Sequence, residues 1–169
     1  MSDAAHPRPE VLILRHYKEK RKKCSLEPLV GRPGFVFVPW RPGQLVELEV
    51  PHILLEVGAP PLAPSDAGQP LLLLDSTWRY LPSMRAAVRG ELIPRSFPPG
   101  VRTAYPRTSK LFDDPETGLA SIEALYLAFL LLGHPDESLL EAYRWKDAFL
   151  RSLEPLLQDG SQNDPLQPR

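Results

Sequence analysis

The sequence predicts an α/β domain with buried parallel strands, and three observations point to it. Residues 71–74 are four consecutive leucines that begin after Pro70 and end at a polar cluster, a pattern typical of a strand covered on both faces. An amphipathic helical pattern follows this run, and the 21 prolines lie mostly between the predicted elements. The 169 residues, 43% hydrophobic and 24% charged, are enough for one domain with a single core.

The remaining elements follow from short apolar runs bounded by glycine and proline and from helical periodicity. The predicted strands cover residues 11–14, 35–38, 45–50, 52–57, 71–74, 92–93 and 101–105. The predicted helices cover residues 78–88, 121–132 and 136–157. Ser121 and Glu123 favour a helix start, through capping and through the helix dipole. Residues 108–118 are expected to form a polar loop.

Charge is distributed unevenly, although the formal net charge is only -1. Basic residues crowd into nine positions near the N-terminus, namely Arg15, Lys18, Lys20, Arg21, Lys22 and Lys23. Acidic residues concentrate after Asp113. A two-sided molecule of this kind can hold a polyanion such as RNA, but the same charges also suit solvated loops and helix faces. Charge alone leaves both interpretations open.

Composition excludes several classes of protein. No apolar stretch reaches the roughly 18–20 residues that span a bilayer, and the first ten residues lack the apolar core of a signal peptide. A single cysteine, Cys24, excludes an internal disulfide and a multi-cysteine zinc site, and no metal site is expected. Motifs for phosphate loops and for the nucleophile elbow of hydrolases are missing. We expect a cytoplasmic protein without a membrane partner.

The residues after the leucine run are the candidate site, because ligands of open α/β sheets bind beyond the carboxyl ends of the strands. Asp75 can bind ribose hydroxyls, orient a base or accept a proton, and it can equally cap the following turn. Trp78 can stack on a ligand or belong to the core. Cys24 follows consecutive basic residues that favour a reactive thiolate, but a passive small residue is the other interpretation.

Several short blocks, in order along the chain, resemble the aminocarboxypropyltransferases that modify RNA. Residues Lys22–Leu29 resemble the Lys-Lys-Cys-Ser/Thr block of the ribosome-biogenesis branch, and Leu62–Asp66 resemble its Leu-Ser-Pro-x-Asp segment. Leu74–Trp78 match the Asp-x-Thr-Trp motif of the sister DTW-domain branch, which modifies tRNA uridines. Leu119–Leu125 resemble the shared helix start Leu-Ser/Thr-x-x-Glu-Ala-Leu, and Val11–Glu19 resemble the DTW opening strand.

The resemblance implies a SPOUT-like α/β fold, with a mostly parallel sheet, helices on both faces and a C-terminal trefoil knot. It divides the chain into a flexible N-terminus (1–10), a single α/β domain (11–158) and a disordered tail (159–169). Within the domain, 11–70 form the N-terminal part and 71–158 the cofactor-binding knotted part. The resemblance also implies a protein that acts as a monomer.

The activity implied by the resemblance is transfer of the 3-amino-3-carboxypropyl group of S-adenosylmethionine to N3 of a uridine or pseudouridine. The substrate is rRNA or tRNA, and methylthioadenosine is released. The implied catalytic residue is Asp75, which would orient the base or take its proton. The implied cofactor-binding residues are Cys24, Ser25, Leu74, Ser76, Trp78, Leu92, Leu119 and Ser121. The implied RNA-binding residues are Arg15, Lys20, Arg21 and Lys22.

Two alternatives remain at the level of the sequence. A SPOUT methyltransferase would use the same fold and cofactor but transfer the methyl group. A non-catalytic RNA-binding or ribosome-assembly factor would retain only the fold. The second alternative draws on two departures from the family pattern, since Ala63 and Ala120 replace expected hydroxyl residues. The N-terminal cysteine cluster typical of DTW proteins is also missing.

Overall fold

All five strands of the main sheet run parallel, as the sequence predicts, in the order β2-β1-β5-β4-β7. The computed structural model describes residues 6–106 and 118–162. The strands are β1 (Val11–His16), β2 (Phe35–Trp40), β3 (Val46–Glu47), β4 (His52–Leu55), β5 (Leu71–Asp75), β6 (Val88–Arg89) and β7 (Leu92–Arg95). The helices are α1 (Leu81–Ala86), α2 (Ser121–Leu131) and α3 (Lys146–Gln162).

Helices cover both faces of the sheet, because successive side chains of the central strands point to opposite sides. On one face, Ile13 of β1 and Leu73 of β5 belong to a buried cluster that includes residues of α2 and α3. On the other face, Leu14 and Leu72 pack in a second cluster with Met84 of α1. The leucine run is therefore buried from both sides.

The segment after β5 differs from the predicted helix over 78–88. It consists of a 3₁₀ turn (Trp78–Tyr80), the short helix α1 and the strand β6. The helix ends early because the backbone around Val88 pairs with β3: Val46 N–H donates to the Ala87 carbonyl at 2.9 Å. The strand predicted over 45–50 is correspondingly reduced to β3, and residues 101–105 form no strand.

The C-terminal region contains two helical pieces where the sequence predicts one helix over 136–157. The first is a 3₁₀ helix (Glu137–Leu140) whose start is capped by the Asp136 carboxylate, which accepts a hydrogen bond from Ser138 N–H at 3.0 Å. The second is α3, which begins after a turn and continues to Gln162. Residues 159–162 of the predicted disordered tail are therefore helical. Residues 163–169 lie outside the described part.

Residues 6–10 of the predicted flexible N-terminus pack onto the domain. Pro9 is buried, the Glu10 carbonyl accepts a hydrogen bond from Leu71 N–H at 2.8 Å, and Arg8 forms an ion pair with Asp136 at 2.8 Å. Residues 1–5 and most of the predicted loop over 108–118 lie outside the described residues. The trefoil knot stays a prediction. Among the helices in 6–106 and 118–162, none is long and apolar enough to cross a membrane.

Candidate functional site

A pocket of about 550 Å³ lies beyond the carboxyl ends of β5, β4 and β7, where ligands of open α/β sheets bind. Its volume suits a ligand of nucleoside size. Four segments form its wall: the loops after β4, β5 and β7 and the first turn of α2. They contribute, among others, Glu56, Gly58, Ser76, Trp78, Pro99 and Ser121.

The pocket contains a polar atom that lacks a partner. The Oγ atom of Ser76 is buried and makes no hydrogen bond to any residue within 6–106 and 118–162. Ser96 on the opposite loop already donates its hydroxyl to the Ala59 carbonyl. A buried hydroxyl without a partner costs free energy, so Ser76 favours a ligand that offers a hydrogen-bonding group.

The start of α2, which forms one wall of the pocket, is held by side chains from distant segments. Ala120 at the N-cap has no side-chain acceptor, and Ser25 takes over: its Oγ accepts a hydrogen bond from Ile122 N–H at 3.2 Å. The fully buried Glu123 carboxylate accepts from Ala120 N–H at 2.8 Å. It also accepts from Thr103 Oγ1 at 2.6 Å and thereby fixes the segment that follows β7.

A cluster of buried polar groups lies beside the ends of β1 and β5. Arg15 Nε donates to Asp75 Oδ2 at 3.1 Å, and Arg15 Nη1 donates to Glu27 Oε2 at 2.8 Å. The Cys24 thiol donates to the same Asp75 oxygen at 3.0 Å. Burial and the adjacent Asp75 charge raise the pKa of Cys24 to about 12, so Cys24 is a neutral thiol rather than the reactive thiolate considered from the sequence.

The acceptor pattern leaves one carboxylate oxygen of Asp75 unused. Both hydrogen bonds described for this side chain go to Oδ2, and Oδ1 accepts none from the described residues. Asp75 itself is 3% exposed and does not line the 550 Å³ pocket, whereas its neighbours Leu74 and Ser76 do. The Asp75 carboxylate is thus adjacent to the pocket and anchored from one side.

The structure brings most of the predicted cofactor-binding residues to two places. Leu74, Ser76, Trp78, Leu119 and Ser121 line the 550 Å³ pocket. Cys24 and Ser25 line a second pocket of about 380 Å³, together with Arg21, Lys22 and Tyr143.

Leu92 is not brought to either pocket. It lies at the amino end of β7, away from the carboxyl end at which the 550 Å³ pocket opens, and packs against the cluster around Met84. Its place in the strand, rather than its residue type, separates it from the site.

One predicted RNA contact needs correction. Lys20, Arg21 and Lys22 are exposed, as a phosphate contact requires, but Arg15 is only 6% exposed. Burial on its own lowers the pKa of Arg15, but the hydrogen bond to Glu27 and the hydrogen bond and negative charge of Asp75 raise it above its usual value. Arg15 is therefore a buried partner of carboxylates rather than an exposed cation.

Two parts of the pocket wall were missed by sequence reasoning. The loop 56–59 and the segment 96–101 carry no motif, and the latter looked only like a turn because of Pro98, Pro99 and Gly100. Their position directly after β4 and β7 is the one feature that would have identified them. Glu27 was likewise quoted in a family block without a role, and it is a partner of Arg15.

A solved structure of known activity resembles the whole fold. The chain matches the SAM-dependent rRNA:acp-transferase Tsr3 from Vulcanisaeta distributa with a TM-score of 0.65 and 25% sequence identity, over 90% of this chain and 82% of that chain. No protein-family model matches the chain, and no curated protein matches it significantly. The resemblance to aminocarboxypropyltransferases that the sequence blocks indicated is confirmed by this structural match.

Proposed function

We propose that this protein transfers the 3-amino-3-carboxypropyl group from S-adenosylmethionine to N3 of a uridine or pseudouridine in rRNA. One observation carries the proposal. The two sequence blocks that the resemblance assigns to the cofactor, Leu74–Trp78 and the start of α2, form walls of one pocket in a fold that matches an rRNA:acp-transferase. The activity of that relative favours rRNA over tRNA.

The pocket has the properties that S-adenosylmethionine needs. Its volume of about 550 Å³ accommodates a nucleoside with an amino-acid side chain, and Ser76 offers a buried hydroxyl that no described residue pairs with. Leu74, Leu119 and Trp78 would hold the apolar surface of the adenosine, and the Ser121 end of α2 would meet polar groups. The cofactor supplies a carbon activated by a sulfonium charge. Positioning of that carbon against the base then contributes most of the rate.

Asp75 would orient the base. Its Oδ2 atom is held by Arg15 and Cys24, which fixes the carboxylate plane and leaves Oδ1 as the acceptor for a base N3–H. Because Arg15 is itself fixed by Glu27, the carboxylate would need no rearrangement when the base arrives. Lys20, Arg21 and Lys22 would contact phosphates, so RNA binding would weaken with rising salt.

The departures at Ala63 and Ala120 do not argue against activity. Ser25 Oγ accepts from the first turn of α2 in place of a hydroxyl at position 120. Ala63 N–H still donates to the Asp66 carboxylate at 2.9 Å, so the turn at this segment keeps its side-chain bond. The local geometry that a hydroxyl would support is therefore present by other means.

The test uses S-adenosylmethionine labelled in the methionine carboxyl carbon, with rRNA from cells that lack the protein. Label in the RNA together with released methylthioadenosine supports the proposal. Release of S-adenosylhomocysteine and transfer of a methyl label would establish the methyltransferase instead. No transfer at all, with RNA binding retained, would support a non-catalytic factor.

A matched pair of variants examines Asp75. Asp75→Asn keeps the size of the side chain and should lower transfer by about 100-fold or more while cofactor binding, measured by calorimetry, is retained. Asp147→Asn changes an exposed carboxylate on α3 and should leave transfer unchanged. If Asp75→Asn transfers the group as fast as the wild type, Asp75 has no role in the reaction.

A further inference from the structure

Two tyrosines and three cations form a continuous surface at the carboxyl ends of three neighbouring strands. Tyr17 and Lys18 follow β1, Arg41 follows β2, and Arg79 and Tyr80 follow β5. Since β2, β1 and β5 are adjacent and parallel, these five residues meet at one edge of the sheet. We call them the aromatic–basic patch.

The cations of the patch lie over the tyrosine rings. The Arg41 guanidinium carbon is 4.9 Å from the Tyr17 ring centroid, and the Arg79 guanidinium carbon is 5.8 Å from that of Tyr80. Lys18 Nζ is 5.7 Å from the Tyr17 centroid and 5.8 Å from the Tyr80 centroid. Within 6–106 and 118–162, no carboxylate forms an ion pair with Lys18, Arg41 or Arg79. The patch thus has positive charge that the described residues do not neutralise.

A buried histidine supports the patch from below. His16 is 2% exposed and stacks on Tyr80, with 4.1 Å between ring centroids and 17° between ring planes. Its Nδ1 atom accepts a hydrogen bond from Lys18 N–H at 3.1 Å, and its Nε2 atom has no partner among the described residues. Burial and the Lys18 charge lower the pKa of His16, so the ring is neutral and carries its proton on Nε2. The support is therefore a neutral, buried ring whose Nε2–H has no partner among the described residues.

The patch is continuous with the 550 Å³ pocket. Trp78 lines that pocket, is 39% exposed and begins the 3₁₀ turn that ends at Tyr80 of the patch. Tyr17 is 42% exposed, so one large ring of the patch is open to a partner. A strand of RNA lying on the patch would reach the mouth of the pocket across a single turn of chain.

We infer that the aromatic–basic patch binds the single-stranded RNA next to the nucleotide that is modified. A base stacks on the exposed ring of Tyr17, Tyr80 supports this surface from the side of His16, and Lys18, Arg41 and Arg79 contact the phosphates. Exposed aromatic rings interleaved with cations are the combination that holds unpaired nucleotides, since every base has a face that stacks and every linkage has a charge. The inference rests on the proposed function for the identity of the pocket's substrate, and its own evidence is the patch.

The test measures fluorescence anisotropy of a labelled single-stranded RNA of about 10 nucleotides with the full chain. Tyr17→Ala should weaken binding by about tenfold, because one stacked base is lost. Arg41→Gln should weaken binding and lower the slope of log K against log salt by about 0.7, the value for one phosphate contact on a single strand. Arg41 is exposed, so this variant tests the patch even if Tyr17→Ala is poorly folded.

The controls lie away from the patch. Tyr105→Ala removes a tyrosine with the same 42% exposure, and Arg151→Gln removes a cation on α3. Both should bind the RNA like the wild type. Wild-type affinity of Arg41→Gln and of a folded Tyr17→Ala, or failure of the wild type to bind the probe, would overturn the inference.

The outcome is separable from that of the proposed function. If the wild type binds RNA through the patch but neither binds S-adenosylmethionine nor transfers its side chain, the proposed function fails and the patch stands. If the wild type transfers the group while the patch variants bind and react normally, the patch inference fails alone.

Discussion

Arg15 and Asp75 are register partners on the two central strands, and they form an ion pair of 3.1 Å in which both side chains are less than one-tenth exposed. Asp75 is the last residue of β5, and Arg15 is the next-to-last residue of β1. A buried pair of this kind needs further hydrogen bonds to offset desolvation, and Glu27 and Cys24 supply them. Charged hydrogen bonds rather than apolar packing therefore stabilise the carboxyl ends of β1 and β5.

Removal of one partner of this pair should cost stability. Asp75→Ala leaves the buried Arg15 guanidinium with Glu27 as its one carboxylate partner among the described residues, and we expect a loss of about 3 kcal/mol in the free energy of unfolding. Urea unfolding followed by circular dichroism measures it. Arg85→Gln breaks a more exposed ion pair with Glu56 and should cost less than about 1 kcal/mol. Equal midpoints for Asp75→Ala and the wild type would show that the pair contributes nothing.

The thiol of Cys24 makes stability depend on pH in the alkaline range. The folded pKa of about 12 lies above the ordinary value of 9.0, so the folded state holds its proton more tightly than the unfolded chain. This contribution is complete below pH 9 and is lost as the pH rises from 9 toward 12, by about 1.4 kcal/mol per pH unit.

The measurement compares the wild type with Cys24→Ser between pH 8 and pH 10. Other groups titrate in both proteins, so the difference between them isolates the thiol. At pH 10 the wild type should have lost about 1.4 kcal/mol more than the variant. Parallel curves would contradict a buried, neutral thiol.

Ser76 should contribute to cofactor affinity rather than to folding. Ser76→Ala removes a buried hydroxyl without a described partner, so the free energy of unfolding should stay constant or rise slightly. If Ser76 Oγ bonds the cofactor, the dissociation constant for S-adenosylmethionine should rise about tenfold. Calorimetry provides both the affinity and the stoichiometry.

Ser152→Ala is the matched control for that experiment. Its hydroxyl lies on α3 and donates to the Phe149 carbonyl, away from the pocket. It should leave cofactor affinity unchanged. If Ser76→Ala binds the cofactor as tightly as the wild type, Ser76 does not contribute to cofactor binding.

The role of Ser25 in capping α2 can be tested by moving the capping hydroxyl from position 25 to position 120. Ser25→Ala removes the acceptor for Ile122 N–H and should destabilise the protein by about 1 kcal/mol. Adding Ala120→Ser supplies an N-cap hydroxyl at the usual position and should recover most of that loss.

A double-mutant cycle from thermal unfolding measures the exchange. The two changes should be strongly non-additive, because both provide an acceptor for the same first turn. Additive effects would mean that Ser25 acts on stability by another route.

The strands of the sheet were predictable because their apolar runs are bounded by glycine and proline, and the leucine run of β5 is buried from both faces as expected. The end of the helix after β5 was not predictable from periodicity. Val88 continues the apolar pattern of that helix, but its backbone pairs with β3, about forty residues earlier in the chain. At Val88, pairing with a strand that is distant in the sequence therefore overrides the local preference for a helix.

The candidate site was predictable where it follows strand β5 and starts helix α2, since sequence blocks mark both. The role of Arg15 was not, because a basic residue in a basic segment looks exposed until its partners are known. Those partners are Glu27, twelve residues away, and Asp75, sixty residues away. Only the parallel pairing of β1 with β5 brings Arg15 and Asp75 together.

The first strand along the sequence, β1, is an interior strand of the sheet and lies between β2 and β5. Its contact with β2 closes a short loop, whereas its contact with β5 must wait until β3 and β4 have been synthesised. The pocket needs the loops after β4, β5 and β7 and the start of α2, so we expect it to be among the last parts of the molecule to form. A ligand that binds in this pocket binds only the fully folded protein. It therefore shifts the folding equilibrium away from partly folded states. Binding of the proposed cofactor would thereby report that the chain has folded completely.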